Sequence, residues 1–191
     1  MNILDKALRE ANDHAHDLVA LKQGSVGFGV VEHRDERGLL IDAIPFANLI
    51  TDAGDLYYAQ KMIVGIAPAS PSAPTAVSGM KLGTGTTAAA KSGSGAALVT
   101  YITGSNVAFD ASYPQTANLG GGLGVNAVYK TTWAAGVATN AAITEAVIVN
   151  DAGTNATSSA ANSIARVVFT AVNKASADTL AITWNHKQLG A

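Results

Sequence analysis

Residues 125–133 read Val-Asn-Ala-Val-Tyr-Lys-Thr-Thr-Trp, and their alternation decides the fold class. Val125, Ala127, Tyr129, Thr131 and Trp133 fall on one side of an extended chain, with Asn126, Val128, Lys130 and Thr132 on the other. A period of two marks a half-buried strand. The reading extends to Ile143–Val149, Ile164–Val172 and Leu180–Lys187, with Asn150-Asp151-Ala152-Gly153 and Asn173-Lys174-Ala175-Ser176 as turns. Short strands separated by turn signals predict a mainly β chain. Its body, residues 80–191, is expected to be a jelly-roll-like β-sandwich with Trp133, Trp184, Tyr129 and Phe169 in its core.

Upstream, Met80–Leu82 opens the body, and Ala67-Pro68-Ala69-Ser70-Pro71-Ser72-Ala73-Pro74 marks a semi-extended linker, taken as residues 67–79. Residues 1–66 read as a helix-plus-hairpin extension closed by a second helix. Ile3, Leu4, Ala7, Leu8, Ala11, Ala15 and Leu18 recur at helical spacing after a cap at Asn2 or Asp5. Ser25–His33 and Leu39–Ile44 are strands turned by Asp35-Glu36-Arg37-Gly38, with Gly38 available for a positive φ. Pro45 and Phe46 interrupt, and a helix runs from Thr51 or Asp52 to Val64, with Gly65 stopping it. Ala96–Thr103 reads as a short helix and residues 119–124 as a glycine loop. The extension is expected to dock on neighbours. Its interface candidates are Leu4, Leu8, Phe46, Tyr57 and Tyr58, since adjacent tyrosines on a helix cannot both face one core.

Composition narrows the function. Of 191 residues 48% are hydrophobic and 14% charged, against roughly 25% charged in an average soluble domain. Residues 1–81 hold 17 of the 26 charged side chains, leaving a charge-poor body. The net charge of −2 shows no basic stripe for nucleic acid. With no cysteine there is neither a disulfide nor a thiolate metal site. The charged N-terminus lacks the apolar centre of a signal peptide, and no apolar run approaches membrane-spanning length.

Several motifs imitate catalytic or binding elements. Gly83-Thr84-Gly85-Thr86-Thr87-Ala88 matches a dinucleotide fingerprint, but Gly93 and Gly95 end any helix that would hold a pyrophosphate. Gly85–Ser92 is one residue from a phosphate-binding loop, with Ala90 in place of the required glycine. His33-Arg34-Asp35 copies a kinase triplet without the remaining kinase elements. His14 and His16 point to different helix faces, and His186 reads as a packed or exposed strand residue. Asn155-Ala156-Thr157 is a formal glycosylation acceptor without an accompanying signal peptide. The acids Asp110, Glu145, Asp151 and Asp178 show no pairing by spacing. These readings lead to no catalytic residue, no cofactor and no metal site.

Asn48-Leu49-Ile50-Thr51-Asp52-Ala53-Gly54, Lys81-Leu82-Gly83-Thr84-Gly85-Thr86, Ala142-Ile143-Thr144-Glu145-Ala146, Ala165-Arg166-Val167-Val168-Phe169 and Asp178-Thr179-Leu180-Ala181-Ile182-Thr183-Trp184 form an ordered set. In this set, spanning about residues 48–187, the chain resembles tailed-phage virion proteins. The resemblance implies a non-enzymatic structural protein, located in the phage particle and assembled in the host cytoplasm. It covers both capsid decoration (cement) proteins and tail-associated appendage proteins; the first expectation is a decoration protein, trimeric and bridging major capsid subunits. The alternatives are a tail, fibre or baseplate component, or, from another class, a β-sandwich module binding host glycan.

Overall fold

A computed structural model describes residues 3–7, 9–10, 26–62, 74–118 and 124–188. The chain is mainly β. Its nine strands are β1 (Val26–Arg34), β2 (Leu40–Ile50), β3 (Gly79–Gly83), β4 (Val107–Ala108), β5 (Gln115–Asn118), β6 (Val125–Trp133), β7 (Asn140–Val149), β8 (Ser163–Lys174) and β9 (Thr179–Gln188). They hydrogen-bond antiparallel in the order β4-β3-β7-β8-β2-β1-β9-β6-β5, as one curled half-barrel where the sequence led to the expectation of a two-sheet sandwich. The curl brings the end beyond β4 back onto β6. The Asp110 carboxylate accepts from the Thr132 amide and hydroxyl, both at 2.8 Å, and the Asp110 amide donates to Lys130 O at 2.9 Å.

The β1–β2 hairpin, assigned by sequence to an extension, lies at the centre of this sheet between β8 and β9. It turns as expected: Gly38 takes φ +78°, and the Asp35 carboxylate accepts the amides of Arg37 and Leu39. Those bonds hold the Asp35 carboxyl below its ordinary range, the Leu39 amide contributing most. Pro45 does not interrupt β2. Lacking an N–H, it cannot exchange two bonds with its partner Val30, so its nitrogen faces β8. No ladder partner stands there, because β2 pairs with β8 only at Leu49 and Ile50.

Residues 3–7 and 9–10 are helical (α1), and the sequence continuing that helix to Leu18 lies outside the described residues. Ala7 packs with Val30 and Ala43, and Leu4 and Leu40 lie against them, so α1 covers the hairpin's outer face. A second helix, α2 (Asp52–Met62), starts on Thr51, whose hydroxyl accepts the Gly54 amide at 3.0 Å and donates to Ser163 O at 2.6 Å. Residues 63–73, including Val64, Gly65 and most of the linker, and residues 119–123 lie outside the described residues. Ala96–Thr103 is not a helix: a 3-10 turn spans Gly93–Ala96, and Tyr101 bridges to Gly83.

The half-barrel's inner face is built in cross-strand rows. One runs Phe46–Gly29–Trp184–Tyr129 and the next Asn48–Gly27–His186–Ala127, across β2, β1, β9 and β6. Each glycine stands between two large neighbours. Phe46 therefore reaches over β1 to meet Trp184 edge-on, with ring centroids 5.0 Å apart. Asn48 likewise accepts the Trp184 indole N–H at 2.6 Å. Trp133, Trp184, Tyr129 and Phe169 are all buried, as the alternation predicts. A Cβ on Gly29 would stand 2.3 Å from Thr183 O and 2.5 Å from the Phe46 ring. Gly29→Ala is expected to cost about 1–3 kcal/mol by overpacking. Gly38→Ala, in open space but at positive φ, is expected to cost only about 1 kcal/mol. Urea denaturation of the two variants checks this order.

Candidate functional site

The residues singled out for contact with neighbours are distributed unevenly. Leu4, on α1, is half-buried against the hairpin, Leu8 lies outside the described residues, and Phe46 is core. Both tyrosines of α2 turn toward the protein, against the argument that only one could. Tyr57 joins the main core cluster, and Tyr58 packs at its margin with its hydroxyl inside. The helix sits where core and inner sheet face meet, so neighbouring side chains find different partners, and neither phenol is free for another molecule.

Tyr58 ends in a buried polar chain. Its hydroxyl hydrogen-bonds the Tyr129 hydroxyl at 2.9 Å and His186 Nδ1. All three rings stand edge-on or tilted among Tyr57, Phe109 and Trp184. Burial drives the Tyr58 phenol far above its ordinary range and Tyr129 up to about 12. Burial also pushes His186 down from 6.5 to about 3, so the imidazole is neutral. The neutral imidazole meets Tyr58 through Nδ1, and its Nε2 has no partner among the described residues. The cluster anchors α2 to the sheet.

On the outer face, Glu145 of β7 and Arg166 of β8 form a fully buried ion pair, Nη2 to Oε2 at 2.7 Å and Nε to Oε2 at 3.0 Å. The same carboxylate accepts backbone amides from Gly85 (2.8 Å), Thr100 (2.9 Å) and Val99 (3.1 Å). Arg166 Nη1 donates to Gly95 O at 3.2 Å, and the Thr144 hydroxyl donates to Gly85 O. The glycine-rich run that imitates a phosphate loop thus wraps an anion of its own chain. A Cβ at Gly83 or Gly85 would meet Glu145 Oε1 at 2.4 or 2.5 Å, which accounts for both glycines.

The other acids likewise have local partners. Asp151 holds the buried Lys81 at 3.0 Å and the Ser158 hydroxyl at 2.6 Å. Asp178 holds His33 Nε2 at 2.8 Å. That bond, with the Ala175 amide, keeps the Asp178 carboxyl below its ordinary range. Lys174 donates to Ala134 O at 3.1 Å, and burial lowers its ammonium while Asp178 opposes the shift. His33, Asp178 and Lys174 bring no serine or cysteine into hydrogen-bond contact, and no cluster of metal-ligating side chains forms among the described residues.

Two surface features remain. A cleft of about 640 Å³ opens where β2 parts from β8, lined by Ile44–Ala47, Val168–Thr170 and Glu10. Three large apolar side chains of α1 and the hairpin are also exposed: Ile3, Leu39 and Ile41. Sequence periodicity found neither, because a leucine at a strand start reads alike whether covered or bare. No protein-family model, curated protein or solved structure matches the chain.

Two expectations follow from the buried groups. Arg166→Met leaves Glu145 charged without its cation and is expected to cost about 3–5 kcal/mol in denaturant titration. The unfolded chain binds a proton on His186 near pH 6.5 and the folded chain only near pH 3. Stability from this group is therefore complete above about pH 6.5. It falls by up to about 1.4 kcal/mol per pH unit toward pH 3. His186→Gln, which keeps an acceptor for Tyr58 and does not titrate, is expected to flatten that slope in melts at stepped pH.

Proposed function

We propose that this chain is a non-enzymatic structural component of a tailed-phage particle, a capsid decoration protein that bridges major capsid subunits as a trimer on the head. One observation supports the reading above the others. The stretches that carry the resemblance are scattered over about 140 residues, yet they meet in the fold. Gly85, Glu145 and Arg166, from three of them, form one clamp. Asn48 and Trp184, from two more, share a hydrogen bond. Residues so coupled specify a fold together, which is what an ordered set of short matches reflects.

A decoration protein works by contact area repeated over a lattice, so it needs a stiff body and surfaces that desolvate cheaply. The half-barrel offers the first through its clamped loops, and the charge-poor stretch after Leu82 offers the second. Quantitative mass spectrometry of purified particles tests the reading. A copy number near that of the major capsid protein, or a simple lattice fraction of it, is expected. A handful of copies per particle would instead make the chain a tail, fibre or baseplate component.

A further inference from the structure

β2 and β8 share the pairs Leu49–Arg166 and Ile50–Ala165 and then part around the cleft. The Thr51 amide donates to Ile164 O at 3.1 Å, which fixes the parity of this seam. Leu49 and Arg166 are thus a hydrogen-bonded pair, and Ala47 and Val168 would be the next. They do not pair, so the N–H and C=O of each face the cleft. The two edges are unlike. On β2, Pro45 has no N–H, and the Asp42 carboxylate takes the Ala43 amide at 2.8 Å. Such devices blunt a strand edge. On β8, Val168 keeps both of its groups, and neither charge nor proline interrupts Val167-Val168-Phe169-Thr170-Ala171-Val172. That edge is unguarded.

We infer that the cleft takes up an extended segment of another protein, added as a strand along the β8 edge. The donors and acceptors of a strand edge are matched by another extended backbone, which is how many proteins capture peptides. Such an occupant has β8 on one side and β2 on the other, so both of its own edges must be free. Every strand among the described residues already has a neighbour in the sheet, so those of a second copy do not qualify. The occupant is therefore a single tail or loop. Phe46, Val168 and Phe169 around it call for an uncharged segment of apolar and small residues. This assignment rests on the virion reading, which makes the segment part of the capsid shell. A cleft of about 640 Å³ holds only a few residues, and repetition over a lattice multiplies so small a contact.

Shells of the phage assembled without this chain are the probe. Wild-type chain is expected to saturate them, and binding is expected to slow amide exchange at Val168 about tenfold or more. Thr170 lines the cleft and is exposed. Thr170→Lys and Thr170→Asp each put a charge on the edge. Both are expected to weaken binding about tenfold or more at an unchanged melting temperature. Opposite effects of the two charges would mark a surface electrostatic contact and overturn the inserted strand. Variants that bind like wild type, or a Val168 amide that binding does not slow, would overturn the cleft and leave the virion reading standing. Wild-type chain that does not bind shells would overturn both. A Val168 amide already protected in the free chain would assign the cleft to a segment of this chain. Protection that grows with free-chain concentration would assign it to a second copy, and either result would overturn the proposal.

Discussion

Two missing side chains, at Gly27 and Gly29, are the constraint on which the inner half of this molecule depends. β1 runs between β2 and β9, and at these positions it withholds a Cβ where its neighbours are largest. Phe46 and Asn48 cross the gap to the Trp184 ring and its N–H, so strands two apart in the sheet touch directly. An edge-on aromatic pair adds only about 0.5–1.5 kcal/mol beyond the area it buries. Its larger effect is on registry. A slip of one residue would put Phe28 and Val30 where the glycines are and send the whole row to the other face. The row also prepares the seat of α2, because His186, opposite Gly27, presents Nδ1 to Tyr58.

Glu145 does for the outer face what the glycines do for the inner. A buried carboxylate is costly unless its lone pairs are filled, and here one guanidinium and three amides fill them. Hydrophobic residues of similar volume could stabilise β7 against β8 as well as the ion pair does. They could not also fix the path of residues 85–100, which have no regular ladder to follow. The charge thus contributes specificity: it selects one course for an irregular segment over the sheet.

Which elements were legible in the sequence follows from the range of the forces that form them. β6 and the first half of β9 alternate because one face is buried, whereas β7 and β8, covered on both faces over much of their length, announce themselves as apolar runs. β4 and β5, two and four residues long, bury too little to leave such a trace. Ala96–Thr103 has a local helical composition that distant contacts override: Glu145 takes the amides of Val99 and Thr100 that a helix would need. Pro45 was misleading because its effect depends on whether a neighbour occupies the side its nitrogen faces. The hairpin's central place was hidden for a related reason. A proline-rich run reads as a boundary, although chain order does not fix strand order. The Glu145–Arg166 pair required the register of β7 on β8, which spacing along the chain does not supply.

The distribution of charge links this architecture to its surface. Nine charged residues follow Leu82, and among them Glu145, Arg166, Lys174 and Lys187 are buried. A chain that places ions inside while leaving Ile3, Leu39 and Ile41 outside inverts the usual order. Interior ions fix irregular segments, as Glu145 fixes the chain through Gly85, Val99 and Thr100. An exterior short of charge has little hydration to surrender when it is covered, and interface cores are depleted in charged residues for that reason.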